Sequence, residues 1–224
     1  EKGPQNWGNL KPEWETCRTG RLQSPIELNR NTLTIRSTLG NLRRTYKPTP
    51  ALIKSKGYNI MVEWKGNAGG IIINGTKFAL RQCHWHTPSE HKIGGKSLSM
   101  ELHLVHNNSQ GEVAVIGILY ELGRSDPFLR KIRDKIERIT KSGTSLGEID
   151  PWEIKFGSRK YYRYKGSLTT PPCKEGVIWT ILKKVRTVSK DQTQFLREAV
   201  DPGFENNARP IQELQGRTLY LFQP

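Results

Sequence analysis

Five histidines dominate the chemistry available to this chain. His84, His86, His91, His103 and His106 all fall in one short window of its 224 residues. In Gln82-Cys83-His84-Trp85-His86, the period of two of an extended strand puts Gln82, His84 and His86 on one face. In Glu101-Leu102-His103-Leu104-Val105 the same rule groups Glu101, His103 and Val105, and turns Met100, Leu102 and Leu104 the other way. If the two segments pair, three imidazoles converge. Three neutral imidazoles on stiff strands suit a tetrahedral zinc ion that keeps its fourth position for water. Gln82 and Glu101 each lie two residues from a ligand on the same face, where they can hold the second ring nitrogens. A sheet core rarely buries an amide, a carboxylate and three imidazoles without a reason. A lone strand histidine more often packs or faces water, so spacing alone leaves a metal site and a set of packed histidines both open. Neither HExxH nor HxxEH occurs, which argues against the common zinc-protease arrangements.

The elements needed to position these residues read mainly as short strands. Ile60, Val62 and Trp64 alternate with Met61 and Glu63, and Asn74-Gly75 separates two β-rich runs as a hairpin turn does. Leu98 to Val105 alternates, whereas the apolar run from Val113 to Leu119 suits a strand covered on both faces. Tyr161–Tyr164, Val177–Val185 and Thr218–Phe222 complete the set. Two helices are expected. One follows Asp126-Pro127, with Phe128, Leu129, Ile132, Ile136 and Ile139 at helical spacing and Gly143 beyond. The other opens with a capping box of Ser189 and Gln192, ahead of Phe195 and Leu196, and stops at Pro202-Gly203. No repeat or linker divides the chain, so residues 1–224 read as one mainly β domain with a large twisted sheet and a few peripheral helices.

Composition narrows the class. With 34% apolar residues and 21 glycines, the chain lies just under the usual apolar share, enough for a core and too much for disorder. Its longest apolar stretch, Val113 to Tyr120, is far short of the roughly 20 residues of a membrane helix. The formal net charge is +15, which favours anionic surfaces but says nothing about fold. The basic residues are scattered rather than gathered into a tail. Cys17 and Cys173 sit in loop-like sequence and suit one disulfide, and Cys83 reads as a small buried hydrophobe. Asn74-Gly75-Thr76 and Asn107-Asn108-Ser109 are candidate glycosylation acceptors, in keeping with the secretory pathway. No secretory leader is visible, and the chain reads as mature or trimmed.

Several blocks then resemble those of α-class carbonic anhydrases, in the family's order and over nearly the whole chain. They are Gln23-Ser24-Pro25-Ile26, the Gln82–His86 segment, Ser89-Glu90-His91, Glu101–His106, Gly166-Ser167-Leu168-Thr169-Thr170-Pro171-Pro172 and Asn207-Ala208-Arg209-Pro210. The opening, Gly3 to Cys17, is similar to plant members, the dioscorin- and nectarin-like proteins among them. The resemblance implies a central, roughly ten-stranded, mostly antiparallel sheet, a conical zinc cleft and a Cys17–Cys173 disulfide. It implies that His84, His86 and His103 bind zinc, with Gln82 and Glu101 as their outer hydrogen-bond partners. It also implies that Thr169 accepts a hydrogen bond from zinc-bound hydroxide and passes its own proton to Glu90. Val105, Val115, Leu168 and Trp179 match the apolar wall that holds carbon dioxide, and Thr170 matches the polar side of the pocket. His91 and His106 match structural histidines.

One departure concerns rate. Tyr58 stands where fast members carry a proton-shuttling histidine, and a phenol with a pKa near 10 is a poor acceptor at neutral pH. Lys56 and Met61 also replace residues that are often polar amides. The expected activity is zinc-dependent, reversible hydration of carbon dioxide to bicarbonate, limited by proton transfer. The alternatives are a dioscorin-type storage or defence protein with incidental activity, and an anion- or polysaccharide-binding module. A monomer or homodimer is expected, with no nucleic-acid partner, no membrane span and weak association at most with anionic polysaccharide. The expected location is extracellular, or the lumen of a vacuole or plastid.

Overall fold

The computed structural model describes residues 2–29, 33–139 and 142–224. Fifteen strands appear among them: β1 (Leu33–Ile35), β2 (Arg43–Arg44), β3 (Thr49–Ser55), β4 (Ile60–Trp64), β5 (Gly70–Ile73), β6 (Thr76–His86), β7 (Lys92–Ile93), β8 (Lys96–Ser97), β9 (Met100–Asn107), β10 (Val113–Leu122), β11 (Thr144–Ile149), β12 (Tyr161–Ser167), β13 (Glu175–Leu182), β14 (Arg186–Val188) and β15 (Leu219–Phe222). Thirteen form one sheet. Ten run in the continuous order β1-β15-β12-β13-β10-β9-β6-β4-β3-β11, with β2, β5 and β14 attached beside them, and β7 and β8 form a separate ribbon. Pairing is antiparallel except at β1–β15, β10–β13 and β10–β14. The expected mainly β architecture is the one observed.

Alternation places the two cores. Met100, Leu102 and Leu104 of β9 pack in the larger apolar cluster, on the face away from His103. On β10, Ala114, Ile116, Ile118 and Tyr120 face that cluster while Val115 and Leu119 face the smaller one, so this strand is covered on both sides. On β6 the phase changes. Phe78 and Leu80 point into the larger core, and so do Cys83 and Trp85. A bulge at Arg81, where the register with β9 slips between Leu80 and Gln82, makes both possible. The extra residue turns Gln82, His84 and His86 to the opposite face.

Two short helices, α1 (Trp7–Leu10) and α2 (Thr16–Thr19), precede the sheet, and both expected helices form. In α3 (Pro127–Ile136) the Asp126 carboxylate accepts from the backbone N–H groups of Phe128 and Leu129, and Phe128, Leu129, Ile132 and Ile136 are buried. α3 ends before Ile139, which packs against the larger core from outside the helix. In α4 (Lys190–Glu198) the Ser189–Gln192 capping box is complete. Gln192 also accepts from Asp126 N and donates to Asp126 O, which ties the two helix starts together. The short edge and attached strands β1, β2, β11 and β14, and β3, are elements that periodicity did not single out.

Candidate metal centre

Strands β6 and β9 pair antiparallel with His84 opposite His103 and His86 opposite Glu101. The three imidazoles therefore meet on one face, and one donor nitrogen from each lies within 4.8 Å of the others. Their remaining nitrogens all face atoms that can only accept. His84 Nδ1 donates to Gln82 Oε1 at 2.8 Å, His86 Nδ1 to the Asn207 carbonyl at 3.2 Å, and His103 Nε2 to Glu101 Oε1 at 2.8 Å. Each partner thus holds a proton on one nitrogen and leaves a lone pair on the other. The lone pairs are His84 Nε2, His86 Nε2 and His103 Nδ1.

Whether these residues fit a cation can be tested on one buried contact. His86 Nε2 lies 3.5 Å from Glu90 Oε2, and neither atom has a hydrogen-bond partner among the described residues. Two buried acceptors left facing each other are costly, and a nearby cation satisfies both. A mixed-imidazole site of this kind suits zinc. Burial and the neighbouring imidazoles push His84 well below its ordinary pKa, and burial also lowers His86. Burial works against a charged His103 as well, but the Glu101 carboxylate outweighs it and raises the group.

Glu101 organises the centre. It is fully buried. Its Oε1 accepts from His103 Nε2 and from His91 Nδ1 at 2.7 Å, while Oε2 accepts from the backbone N–H groups of Glu90 and His91 at 2.9 and 2.8 Å. Burial alone raises its carboxyl, yet His91 and His103 together hold it well below the carboxylate range. Gly117, opposite His103 on β10, makes room for it. A Cβ there would stand 2.9 Å from Glu101 Oε1 and 2.6 Å from Ile181 Cδ1. His91, Glu101 and His103 also cluster within 4.8 Å. Both nitrogens of His91 and Nε2 of His103 are spent on Glu101 and on the Tyr164 hydroxyl, so that group is a hydrogen-bonded cluster. His106 lies on the other face, bonded to Tyr46 and to the Ala114 carbonyl.

The apolar residues implied by the resemblance lie beside the imidazoles. Val115 is opposite Val105 on β9 and Trp179 on β13, so the three form a row across neighbouring strands on the His103 face. Leu168 packs in the same cluster. The Trp179 ring centre is 4.8 Å from that of His103. Thr169 is buried and Thr170 half-buried, in a loop pinned by Trp179 Nε1 to Ser167 O and by Leu168 N to Lys174 O. Glu90 Oε1 accepts from Arg209 N. Its Oε2 takes no hydrogen bond, so the expected Thr169–Glu90 link is not made among the described residues. Tyr58 lies in the β3–β4 connection, 39% exposed, its ring 6.4 Å from Phe204, and partial burial raises its phenol. The Cys17–Cys173 disulfide is formed and Cys83 is buried and free. Asn74 is exposed in the hairpin turn, whereas Asn107 is half-buried with its side chain bonded to Arg81.

Two positioning residues were missed. Asn207 accepts from His86 and, through its side chain, from Thr87 N, while donating to Tyr58 O. Arg209 is buried and reaches Gln23, Ser24 O and Cys17 O. Both lie in a block quoted for its resemblance, but their contacts span more than a hundred residues and leave no local pattern.

Fold and site together define a large-sheet β protein with a three-imidazole centre backed by an apolar wall. The model for the eukaryotic-type carbonic anhydrase matches residues 2–223. The chain is 50% identical to alpha carbonic anhydrase 4 of Arabidopsis thaliana, over 100% of its own length and 84% of that protein's, and 43% identical to dioscorin dioA3 of Dioscorea japonica, over 99% and 83%. Among solved structures, one of dioscorin complexed with ascorbate superimposes with a TM-score of 0.96 at 43% identity, covering 99% of this chain and 94% of that one. A hyperthermostable carbonic anhydrase from a hydrothermal vent chimney gives 0.89 at 35% identity, covering 100% and 97%. This chain belongs to the eukaryotic-type, α-class carbonic anhydrase family.

Proposed function

We propose that residues 1–224 work as one domain that reversibly hydrates carbon dioxide to bicarbonate and a proton, with zinc held by His84, His86 and His103. The observation that carries this reading is the set of three lone pairs converging on one point, each aimed by an acceptor behind its ring. A zinc ion there supplies Lewis-acid activation of water, lowering its pKa to about 7, a value for which carbonic anhydrase is itself the standard case. Gln82, Asn207 and Glu101 fix the tautomer and direction of the imidazoles. Val105, Val115, Leu168 and Trp179 hold the apolar substrate beside them and exclude competing water. In the zinc-loaded site Thr169 would turn its hydroxyl proton to Glu90 Oε2, a link not made in this structure, and keep its own lone pairs for the nucleophile's proton. Thr170 lines the polar side. The released proton must reach solvent past Tyr58, whose raised phenol does not take it at neutral pH, so proton transfer limits turnover.

Zinc analysis and stopped-flow carbon dioxide hydration on one preparation test this. One zinc per chain, with hydration abolished in His84→Ala, is the expected result; a chain that takes up no zinc when supplied with it ends the proposal. A second reading, a dioscorin-type storage or defence protein with weak activity, is favoured by the 0.96 superposition on dioscorin. A full zinc complement with negligible hydration would select it. The +15 charge motivates association with anionic polysaccharide, which retention on heparin beyond that of a neutral-ligand control would reveal. The disulfide and the exposed Asn74 sequon support a secretory route to the cell exterior or to a vacuolar or plastid lumen. Asn107, bonded to Arg81, is the poorer glycan acceptor.

A further inference from the structure

A cavity of about 220 Å³ opens between β2, the β5–β6 turn and β12. It lies at the opposite end of β6 from the imidazoles, with about 26 Å of extended strand between Thr76 and His84. Two arginines line it. Arg163, on β12, is only 8% exposed. Its Nε donates to Thr180 Oγ1 and its Cζ lies 5.0 Å from the Tyr161 ring. Its two terminal nitrogens have no protein acceptor among the described residues, and no carboxylate pairs with it. Buried charges are normally paired, so this is an unusual cation. Arg43, on β2, is also without an acidic partner among the described residues. Alternation separates it from Arg44, which stacks on Trp152 and Phe156. Asn41 and Asn74 line the same space.

The cavity is preformed rather than loose. The Tyr161 hydroxyl donates to the carbonyls of Leu39 and Gly40 and fixes one rim, while Ile72 and Ile73 on β5 supply apolar wall. No acidic residue is among its described lining residues. Two arginines lining one space offer forked guanidiniums that can match an oxyanion bidentately. Pockets for drug-sized ligands run to roughly 300–1,000 Å³, so this smaller one admits only a compact anion.

We propose that this cavity is a second, non-catalytic binding site for a small oxyanion of the phosphate or phosphate-monoester class, held by Arg163 and Arg43. Burial depresses the Arg163 pKa, and an anion at its terminal nitrogens compensates that cost. A glycan on Asn74 would cover the mouth, so the test uses protein produced without glycosylation.

Inorganic phosphate and phenyl phosphate are titrated into the zinc-loaded protein and followed by backbone amide NMR. Saturable shifts should centre on Asn41, Ile72, Asn74 and Tyr161, and tighter binding of phenyl phosphate would show the apolar wall at work. Arg43→Glu, on an exposed side chain that the fold does not need, should weaken binding by about tenfold or more, the loss expected of a charge-assisted hydrogen bond. Arg163→Gln should do the same. Carbon dioxide hydration should stay at the parent level in Arg43→Glu. Shifts centred on His84 and His103 instead, no saturation, or affinity unchanged in both variants would overturn the proposal.

Discussion

Replacing Glu101 by glutamine tests how the candidate metal centre is built. The carboxylate spends each oxygen on two donors: Oε1 on the imidazoles of His91 and His103, and Oε2 on the backbone N–H groups of Glu90 and His91. A glutamine of the same shape keeps one oxygen and turns the other into a donor. Whichever way the amide flips, two buried N–H groups lose their acceptor. At about 1–3 kcal/mol for each unsatisfied group, the variant should lose about 2–6 kcal/mol, a large part of the 5–15 kcal/mol typical of a folded domain. Urea unfolding of the zinc-free protein measures that loss, free of any contribution from metal. Competition with a chelator should also show zinc bound about 10–100-fold more weakly, the usual cost of losing a partner behind a ligand. Stability within half a kcal/mol of the parent together with zinc affinity within twofold would refute the reasoning, because four short hydrogen bonds would then be contributing nothing.

Three further outcomes are expected. His106 is buried with its pKa lowered to about 4, chiefly by desolvation, while the unfolded chain keeps about 6.5. The unfolded state therefore binds the extra proton first, so this group's roughly 3 kcal/mol is intact above pH 6.5 and is lost as pH falls toward 4. Chemical unfolding across that range should show a shallower slope in His106→Gln, and an unchanged slope would count against the assignment. The disulfide joins residues 156 apart in sequence, and the double change Cys17→Ser with Cys173→Ser should cost about 2–5 kcal/mol. Calorimetry should record that as a fall in Tm on the order of 10 °C for a domain of this size; a Tm unmoved under non-reducing conditions argues otherwise. Tyr58→His should raise turnover in weak buffer, and added imidazole should raise the parent's turnover. Parent turnover independent of buffer would show that proton transfer is not limiting.

Alternation was legible because it is local. The apolar residues of β9 and β10, the Asn74-Gly75 turn and the Ser189 capping box each follow from a few adjacent side chains, and each appears where periodicity puts it. The three imidazoles share a face for the same reason. The short strand β2, the thirteen-stranded extent of the sheet and the end of α3 before Ile139 were not legible, since short elements form only when a neighbour supplies their hydrogen bonds.

Residue identity and spacing alone thus determined which side chains share the face of the candidate metal centre, since the period of a strand needs no partner to express itself. Tertiary structure decided how they are aimed. The bulge at Arg81 brings Gln82, His84 and His86 into phase with His103, Asn207 reaches back to His86 across 121 residues, and the missing side chain of Gly117 leaves room for Glu101. Those choices depend on which strands lie side by side and how closely, and no local pattern in the chain records that.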